Sequence, residues 1–540
     1  MRSLYLAIGI LVLSGIGSAA TIYVPDDYPT IQSAVIASVN GDTIIVRPGT
    51  YTGPVNPNGK AIVIRSEQGP QATTIDGDYD SGVIFWLSEG RDTVLDGFTI
   101  TNGRGTHWTK RSGGGIACRN SSPTIINNII ELNDVSDGYG GGIFCEKASP
   151  RIESNIIRQN IAGYGGGIHC NNATPEIVNN IISENEAEFP ACGGGIYVSN
   201  GSEPFIFGNT ISSNKAKEQF GGYGGGIYST YSAPQIVSNR FFLNSATHGG
   251  GAIASFASSP RVVNNLIYEN KAGNYGGGIA MTRGSSMEII NCTIVGNFLT
   301  GGGYGGGILV TRYSEPTLVN SIVWYNRGQY GTQIAVTGKG SDASTLSLGH
   351  STVTDNSISV FTMGASRIDY LGGNIRRDPQ LVDPANYDFH LTWQSPCRDS
   401  GHNAYVTELC DFEGDERITA ATVDMGADEF AYHLYHTGSV AAGSPIDLKV
   451  IGFPTAPVTL FLGDTLADPP YSTQHGDFYL NWPVAWQGFI GAVPGKGVLV
   501  FPATVPNTWT SGSAHPIQAL VGPWGGPSTW LTNYEDLIVE

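Results

Sequence analysis

Gly140-Gly141-Gly142-Ile143-Phe144-Cys145-Glu146-Lys147-Ala148-Ser149-Pro150-Arg151-Ile152-Glu153-Ser154-Asn155-Ile156-Ile157-Arg158-Gln159-Asn160 is one unit of a phrase that the chain repeats. The opening glycine triplet with its isoleucine occurs at Gly113, Gly140, Gly165, Gly193, Gly224, Gly249, Gly276 and Gly305; at Gly249 the pattern reads as an insertion of Ala252 before Ile253. Successive triplets lie 25 to 31 residues apart, the period of one supersecondary unit restacked. The closing asparagine recurs at Asn102, Asn133, Asn160, Asn185, Asn214, Asn244, Asn270, Asn297, Asn326 and Asn356, which makes ten rungs. Each unit holds two or three short runs rich in β-branched residues, broken by Gly, Ser-Pro or Asn, so strand alternates with turn and no helix fits. Such strands satisfy their backbone by pairing with the same strand of the next coil, roughly 4.8 Å away. The expected fold is all-β, a parallel β-helix solenoid in which equivalent residues stack into ladders.

The asparagine suits that geometry because its amide donates and accepts, bonding to its copies above and below and to turn backbone. The glycines suit corners where φ turns positive or where the next coil leaves no room for a Cβ. They are not phosphate loops, since no triplet opens a helix and the lysine of that motif is missing; the calcium-binding glycine repeat fails for want of its Asp. With the isoleucine after each triplet facing in, alternation sends Cys118, Cys145, Cys170, Val198, Ser229, Ser255, Met281 and Val310 inward. The outward row is Ala117, Phe144, His169, Tyr197, Tyr228, Ala254, Ala280 and Leu309, aromatic in its middle.

A chain of 540 residues with 74 glycines and 14% charged residues holds one long solenoid and a further domain. A net charge of −18 argues against nucleic acid as a partner. Residues 1–20, with Arg2, the apolar run Leu4 to Leu13 and Gly17-Ser18-Ala19-Ala20, read as a secretory signal peptide, so a secreted or cell-surface protein is expected. No later run is long and apolar enough for a transmembrane segment, and a monomer is expected. Cys118, Cys145 and Cys170 form a stack of buried thiols in this reading, a strand spacing apart and pointing the same way, which is poor geometry for a bridge. Cys397 and Cys410, in a repeat-free stretch, are the candidate disulfide, with bridged and unbridged states both open.

The segments Tyr28-Pro29-Thr30-Ile31-Gln32-Ser33-Ala34-Val35-Ile36 and Gly41 to Tyr51 predict a short amphipathic helix closing the first coil. Here the chain resembles the N-terminal cap of the right-handed parallel β-helix superfamily typified by pectin lyase and pectin methylesterase. Leu95-Asp96-Gly97-Phe98-Thr99-Ile100-Thr101-Asn102 is similar to the first full coil of its secreted bacterial members. The resemblance runs over about residues 21–430 and implies a right-handed solenoid. It also covers Asp378 to Asp383, Asp388 to Leu391, Ser395 to Gly401 and Asp411 to Glu429, where it implies that Arg417, Asp424 and Glu429 tie down closing loops. Residues 431–540 lack the repeat and read as strands between Gly and Pro, a small C-terminal β-sandwich that loosely resembles modules on exported repeat proteins. Its Trp482, Trp486, Trp509, Trp524 and Trp530 either fill the sandwich core or bind sugar.

Enzymes of the superfamily use calcium-binding acids with an Arg or Lys base, or paired Asp, and none of those sets transfers onto this sequence. One corner does concentrate chemistry: the insert Gly103 to Ser112 carries Arg104, His107, Trp108, Lys110 and Arg111. Inserts Asp134–Tyr139, Glu186–Cys192 and Lys215–Tyr223 recur at the same corner and are expected as loops along one rim. Beside them runs the outward row Phe144, His169, Tyr197 and Tyr228, with Arg119 and Glu146 at the next outward position. Sugar C–H faces pack on rings while hydroxyls bond to charged rims, so these residues form a candidate carbohydrate-binding groove for a polysaccharide or surface glycan. The alternative is that the rings only stack on one another. A polysaccharide lyase or glycoside hydrolase acting on an acidic polysaccharide stays open as a second reading, with Lys110, Arg111 or Arg119 as base. No cofactor is required. Calcium would fall to Glu146 or to Asp76, Asp78 and Asp80, although Leu87 stands where the closing Glu of such a loop is needed.

Overall fold

The computed structural model describes residues 19–430, apart from 108–110, 218–220, 339, 355 and 357, together with the strands of the C-terminal region. The predicted signal segment thus lies almost wholly outside the described residues. The middle coils have four strands each rather than two or three. In the coil opened by Gly140 they are Ile143–Glu146, Arg151–Glu153, Ile156–Arg158 and Ile161–Tyr164. Stacked in register, they build four parallel faces, called first to fourth below in that order, of 11, 14, 12 and 9 strands. The fourth face is made from the corner inserts themselves: Asp134–Tyr139 and Glu186–Cys192 are strands with register shifts, not rim loops. Their backbone groups face the same requirement for partners as every other strand, and the neighbouring coil supplies them.

Every corner turns on one residue of positive φ: Lys147 (49°), Ser154 (54°), Gln159 (55°) and Gly165 (67°). Side chains are tolerated at three of these corners. At the fourth, a Cβ on Gly165 would stand 2.3 Å from the Ile168 carbonyl oxygen, and one on Gly166 would stand 2.6 Å from that of Gly194 in the next coil. This crowding is the physical reason for the triplet. It also corrects the reading at Gly249. Gly250 holds the positive φ (66°), and the Ala252 carbonyl accepts from Gly226 and Ile227 where the third glycine's would. The triplet there is Gly250-Gly251-Ala252, a substitution rather than an insertion.

Inside, the predicted inward row is buried throughout. Asn133, Asn160, Asn185, Asn214, Asn244, Asn270, Asn297 and Asn326 form one column of eight. Asn160 is typical: its Nδ2 donates to Asn185 Oδ1 (3.0 Å) and the Ile130 carbonyl (2.8 Å), while its Oδ1 accepts from Asn133 Nδ2 (2.9 Å) and N–H (3.2 Å). The column ends on Gln333, whose Oε1 accepts from Asn326 Nδ2 at 2.8 Å. Asn102 and Asn356 are not members. Gly103 occupies the column position of the first coil, donating to Asn133 Oδ1, whereas Asn102 is the positive-φ turn residue beside it. Asn356 caps a turn by accepting from Ile358 and Ser359 N–H. A second column, unread in the sequence, runs Asn128, Asn155, Asn180, Asn209, Asn239 and Asn265 between the second and third faces.

The cap helix spans Ile31–Ala37, with Thr30 as N-cap in a capping box, and buries Ile31, Ala34 and Val35 in the core. At the other end, residues 381–430 fold back over the later coils, packing Phe389, Leu391, Cys397 and Met425 against Tyr268 and Trp324. Arg417 is buried and donates to the carbonyls of Ala427, Asp424 and Gly426, while Asp424 accepts from Asp399 and Phe430 N–H. Cys397 is buried and Cys410 exposed, and both thiols are free, as are those of Cys118, Cys145 and Cys170. The candidate disulfide is therefore not formed: Cys397 is committed to the apolar cluster under the closing segment. Beyond residue 430 the strands pair antiparallel, in one sheet of three, one of four and a separate pair. Trp482, Trp509 and Trp524 fall outside the described residues, and Trp486 and Trp530 lie within strands.

Candidate functional site

The outward row of the first face stacks as read, with Ala117, Phe144, His169, Tyr197, Tyr228, Ala254, Ala280 and Leu309 in consecutive register. What the sequence reading missed is a second column beside it. Tyr139, Tyr164, Cys192, Tyr223, Gly249, Tyr275, Tyr304 and Tyr330, each just before the positive-φ glycine of its corner, pair in consecutive register at the end of the fourth face, and the rings among them lean over the first. Tyr139 stacks on Phe144 at 6.1 Å and lies 5.1 Å from His169; Tyr164 lies 5.0 Å from Tyr197. A tyrosine recurring ahead of Gly-Gly-Gly was the available signal.

This cover changes the character of the predicted row. Phe144 and His169 are each only 3% exposed, so neither offers a ring face to solvent. His169 Nε2 lies 3.0 Å from Ser199 Oγ, which itself donates to the Cys170 carbonyl, so Nε2 carries the proton and Nδ1 is left without a partner. Burial pushes the imidazole down to about 3, which keeps it neutral. Burial likewise drives the phenols of Tyr197 and Tyr228 upward.

The remaining predicted residues are dispersed. Arg104 is exposed over the Tyr79 ring at 4.9 Å. His107 and Arg111 pair across a short antiparallel ladder, and Trp108 and Lys110 lie outside the described residues. Arg119 and Glu146 pair with each other at 2.9 Å, the base candidate and the ligand candidate neutralising one another. The Asp76 carboxylate accepts from Asp78 N–H and Asn102 Nδ2, and that of Asp80 from Ser81 N–H and Thr106, so these acids serve their own turns. One His and acid group stands apart in the closing segment: His390 Nδ1 lies 2.7 Å from Asp388 and Nε2 3.0 Å from Glu413, and these carboxylates with Asp428 raise its pKa well above the ordinary imidazole range against the opposing effect of burial.

The open space on the first face lies farther along the solenoid. In the coil of Ile253 Gly249 takes the covering tyrosine's register and Ala254 the outward ring's, while the neighbouring His248 ring lies 5.5 Å from Tyr223 and 6.1 Å from Tyr275. Ala280 continues the outward row without a ring one rung on. The result is a trough of about 480 Å³ floored by Ala254, Ala280 and Leu309. Tyr223, Tyr275 and Tyr304 form one wall. Phe256, Thr282 and Thr311 form the other, and Tyr228 closes the near end. Arg312 and Asp342 supply charge at the far end, where the Tyr313 hydroxyl donates to Asp342. The size falls in the range of small-molecule sites, and the lining combines rings with a few polar groups.

The model of the family described as "Right handed beta helix region" matches residues 18–241, 163–275 and 223–374. The chain belongs to that family. No curated relative matches this β-helix protein. Among solved structures it is similar to the complex of XylC with xylose, at 10% identity and a TM-score of 0.47, covering 75% of this chain and 98% of that one. Pectate lyase Pel9A follows at 13% and 0.37, covering 77% and 98%. The PL6 family alginate lyase AlyGC matches at 12% and 0.36, covering 79% and 60%. The solenoid is the right-handed parallel β-helix that the family model describes.

Proposed function

We propose that this protein is exported and binds carbohydrate in the trough over Ala254 and Ala280. The observation that carries the reading is the trough itself, a concavity of about 480 Å³ walled by Tyr223, Tyr275 and Tyr304 on one side and Phe256 on the other. Tyrosine faces accept the C–H side of a pyranose, while Thr311, Arg312 and Asp342 stand where ring hydroxyls or a carboxylate would need hydrogen bonds. Tyr275 is 38% exposed, so its ring is available to a ligand. Binding is favoured over cleavage because, among the described residues lining the trough, Asp342 is the one carboxylate, whereas glycoside hydrolysis ordinarily uses a pair. The test is calorimetric titration of the full chain with xylan, polygalacturonate, alginate and cellulose fragments. We expect one of them to bind and Tyr275→Ala to weaken it at least tenfold with the thermal midpoint retained. Binding undiminished in Tyr275→Ala would refute the assignment of the site.

A further inference from the structure

The aromatic column shows how a ligand enters, an inference that rests on the carbohydrate reading above. From Phe144 to Tyr228 every rung carries a ring, with centroids 5.4, 4.7 and 5.6 Å apart. Tyr197 and Tyr228 are nearly parallel, at 8°, so they stack along the solenoid axis. Tyr228 is stacked on Tyr197 at 5.6 Å and on Tyr223 at 6.1 Å, and together Tyr223 and Tyr228 border the near end of the trough. There the column stops for two rungs, Ala254 and Ala280, before Leu309 refills it. Farther on, Ala335 follows Leu309 in the column and then Phe361, which packs on Tyr304 and Tyr330 at 5.7 and 5.4 Å. A polymer laid along the axis would collide with the Tyr228 ring at the near limit.

We propose that the trough takes a single terminal or branch sugar end-on, its ring occupying the gap in the aromatic column and packed against the Tyr223–Tyr228 pair at the near end. The rest of the glycan then leaves outward between the two walls. Sugars joined in a chain lie edge to edge and cannot stack face to face on successive rungs about 4.8 Å apart, so the gap selects one ring rather than a run of them. Polarity fixes its orientation: the near end is aromatic (Tyr223, Tyr228, Phe256), and the far end is polar (Thr311, Arg312, Asp342). The sugar's apolar face meets the Tyr223–Tyr228 pair, and its hydroxyls or carboxylate meet Arg312.

Two measurements on the full chain test this. Xylo-oligosaccharides, oligogalacturonides and cello-oligosaccharides of two to six rings are titrated in turn; for the series that binds, affinity should stay within about threefold from two rings to six. Second, Ala280→Tyr restores the ring that Tyr228 carries in the same register, and should cost at least tenfold in affinity while leaving the far-ultraviolet spectrum and thermal midpoint unchanged. If that variant fails to fold, Tyr228→Ala, which removes one ring of that pair, should give the same loss. Affinity climbing tenfold or more with length, or a folded Ala280→Tyr that binds as the parent does, overturns end-on entry and leaves the carbohydrate reading standing. Failure to bind any of the three series or alginate fragments overturns both.

Discussion

Asn185→Ala is the sharpest probe of what holds the coils in register. Asn185 Oδ1 accepts from Asn160 N–H (3.1 Å) and Nδ2 (3.0 Å), and its own Nδ2 donates to the Ile157 carbonyl (2.8 Å) and Asn214 Oδ1 (3.0 Å). The variant removes all four bonds at a fully buried position. At about 1 kcal/mol each these contribute about 4 kcal/mol, and the Asn160 amide, left without an acceptor, adds about 1–3 kcal/mol of uncompensated desolvation. Asn160 Nδ2 keeps the Ile130 carbonyl, so it adds little. The expected loss is therefore about 5–7 kcal/mol, confined mainly to the coils on either side because each repeat contacts only its neighbours. Urea unfolding would measure the total, and amide hydrogen exchange at Asn160 would locate it. Asn200→Gly, which removes the exposed bond from Asn200 Nδ2 to Asn171 Oδ1 and suits the positive φ of 57° at that corner, is the control and should cost under about 0.5 kcal/mol. A loss below about 2 kcal/mol, or an Asn160 amide still protected like its neighbours, would refute the claim that the side-chain column supports the turn.

Three further outcomes follow from buried groups. His169 has its folded pKa pushed down to about 3 from 6.5, so the unfolded chain binds the extra proton; stability is full above pH 6.5 and falls as the pH drops toward 3. Between pH 7 and 5 that amounts to about 2 kcal/mol, and His169→Phe, which puts the ring of Phe144 on the next rung, should abolish this part of the acid slope in melts across that range. Arg417→Met should destabilise by about 3–5 kcal/mol, read in urea titrations, because the carbonyls of Ala427, Asp424 and Gly426 lose their shared donor at a fully buried position. A thiol reagent should label Cys410 rapidly in the native protein and leave Cys118, Cys145, Cys170, Cys292 and Cys397 unreacted until denaturant is added, with mass spectrometry finding no bridge between Cys397 and Cys410.

The period of the chain determined by itself that equivalent residues become vertical neighbours, because a short strand with no helix to pair with can satisfy its backbone only on its own copy. Alternation then decided which face each residue takes, and the inward thiols and outward rings lie where parity puts them. Asn102 and Asn356 broke the pattern because a matching letter at a matching interval does not encode whether a residue sits on the corner or one step before it. Only the tertiary structure decided exposure. The outward row is open or covered according to what the end of the fourth face lays across it, and the tyrosines that cover Phe144 and His169, Tyr139 and Tyr164, stand just across the glycine corner from them, where the fold and not the spacing turns their rings back over the first face. The trough arises in the same way: Gly249, which reads as the start of a triplet, instead stands in a tyrosine's place, and the space appears because Ala254 beside it also lacks a ring. A concavity made by two absences in adjoining columns has no local signature, since neither glycine nor alanine marks a site until packing makes them neighbours.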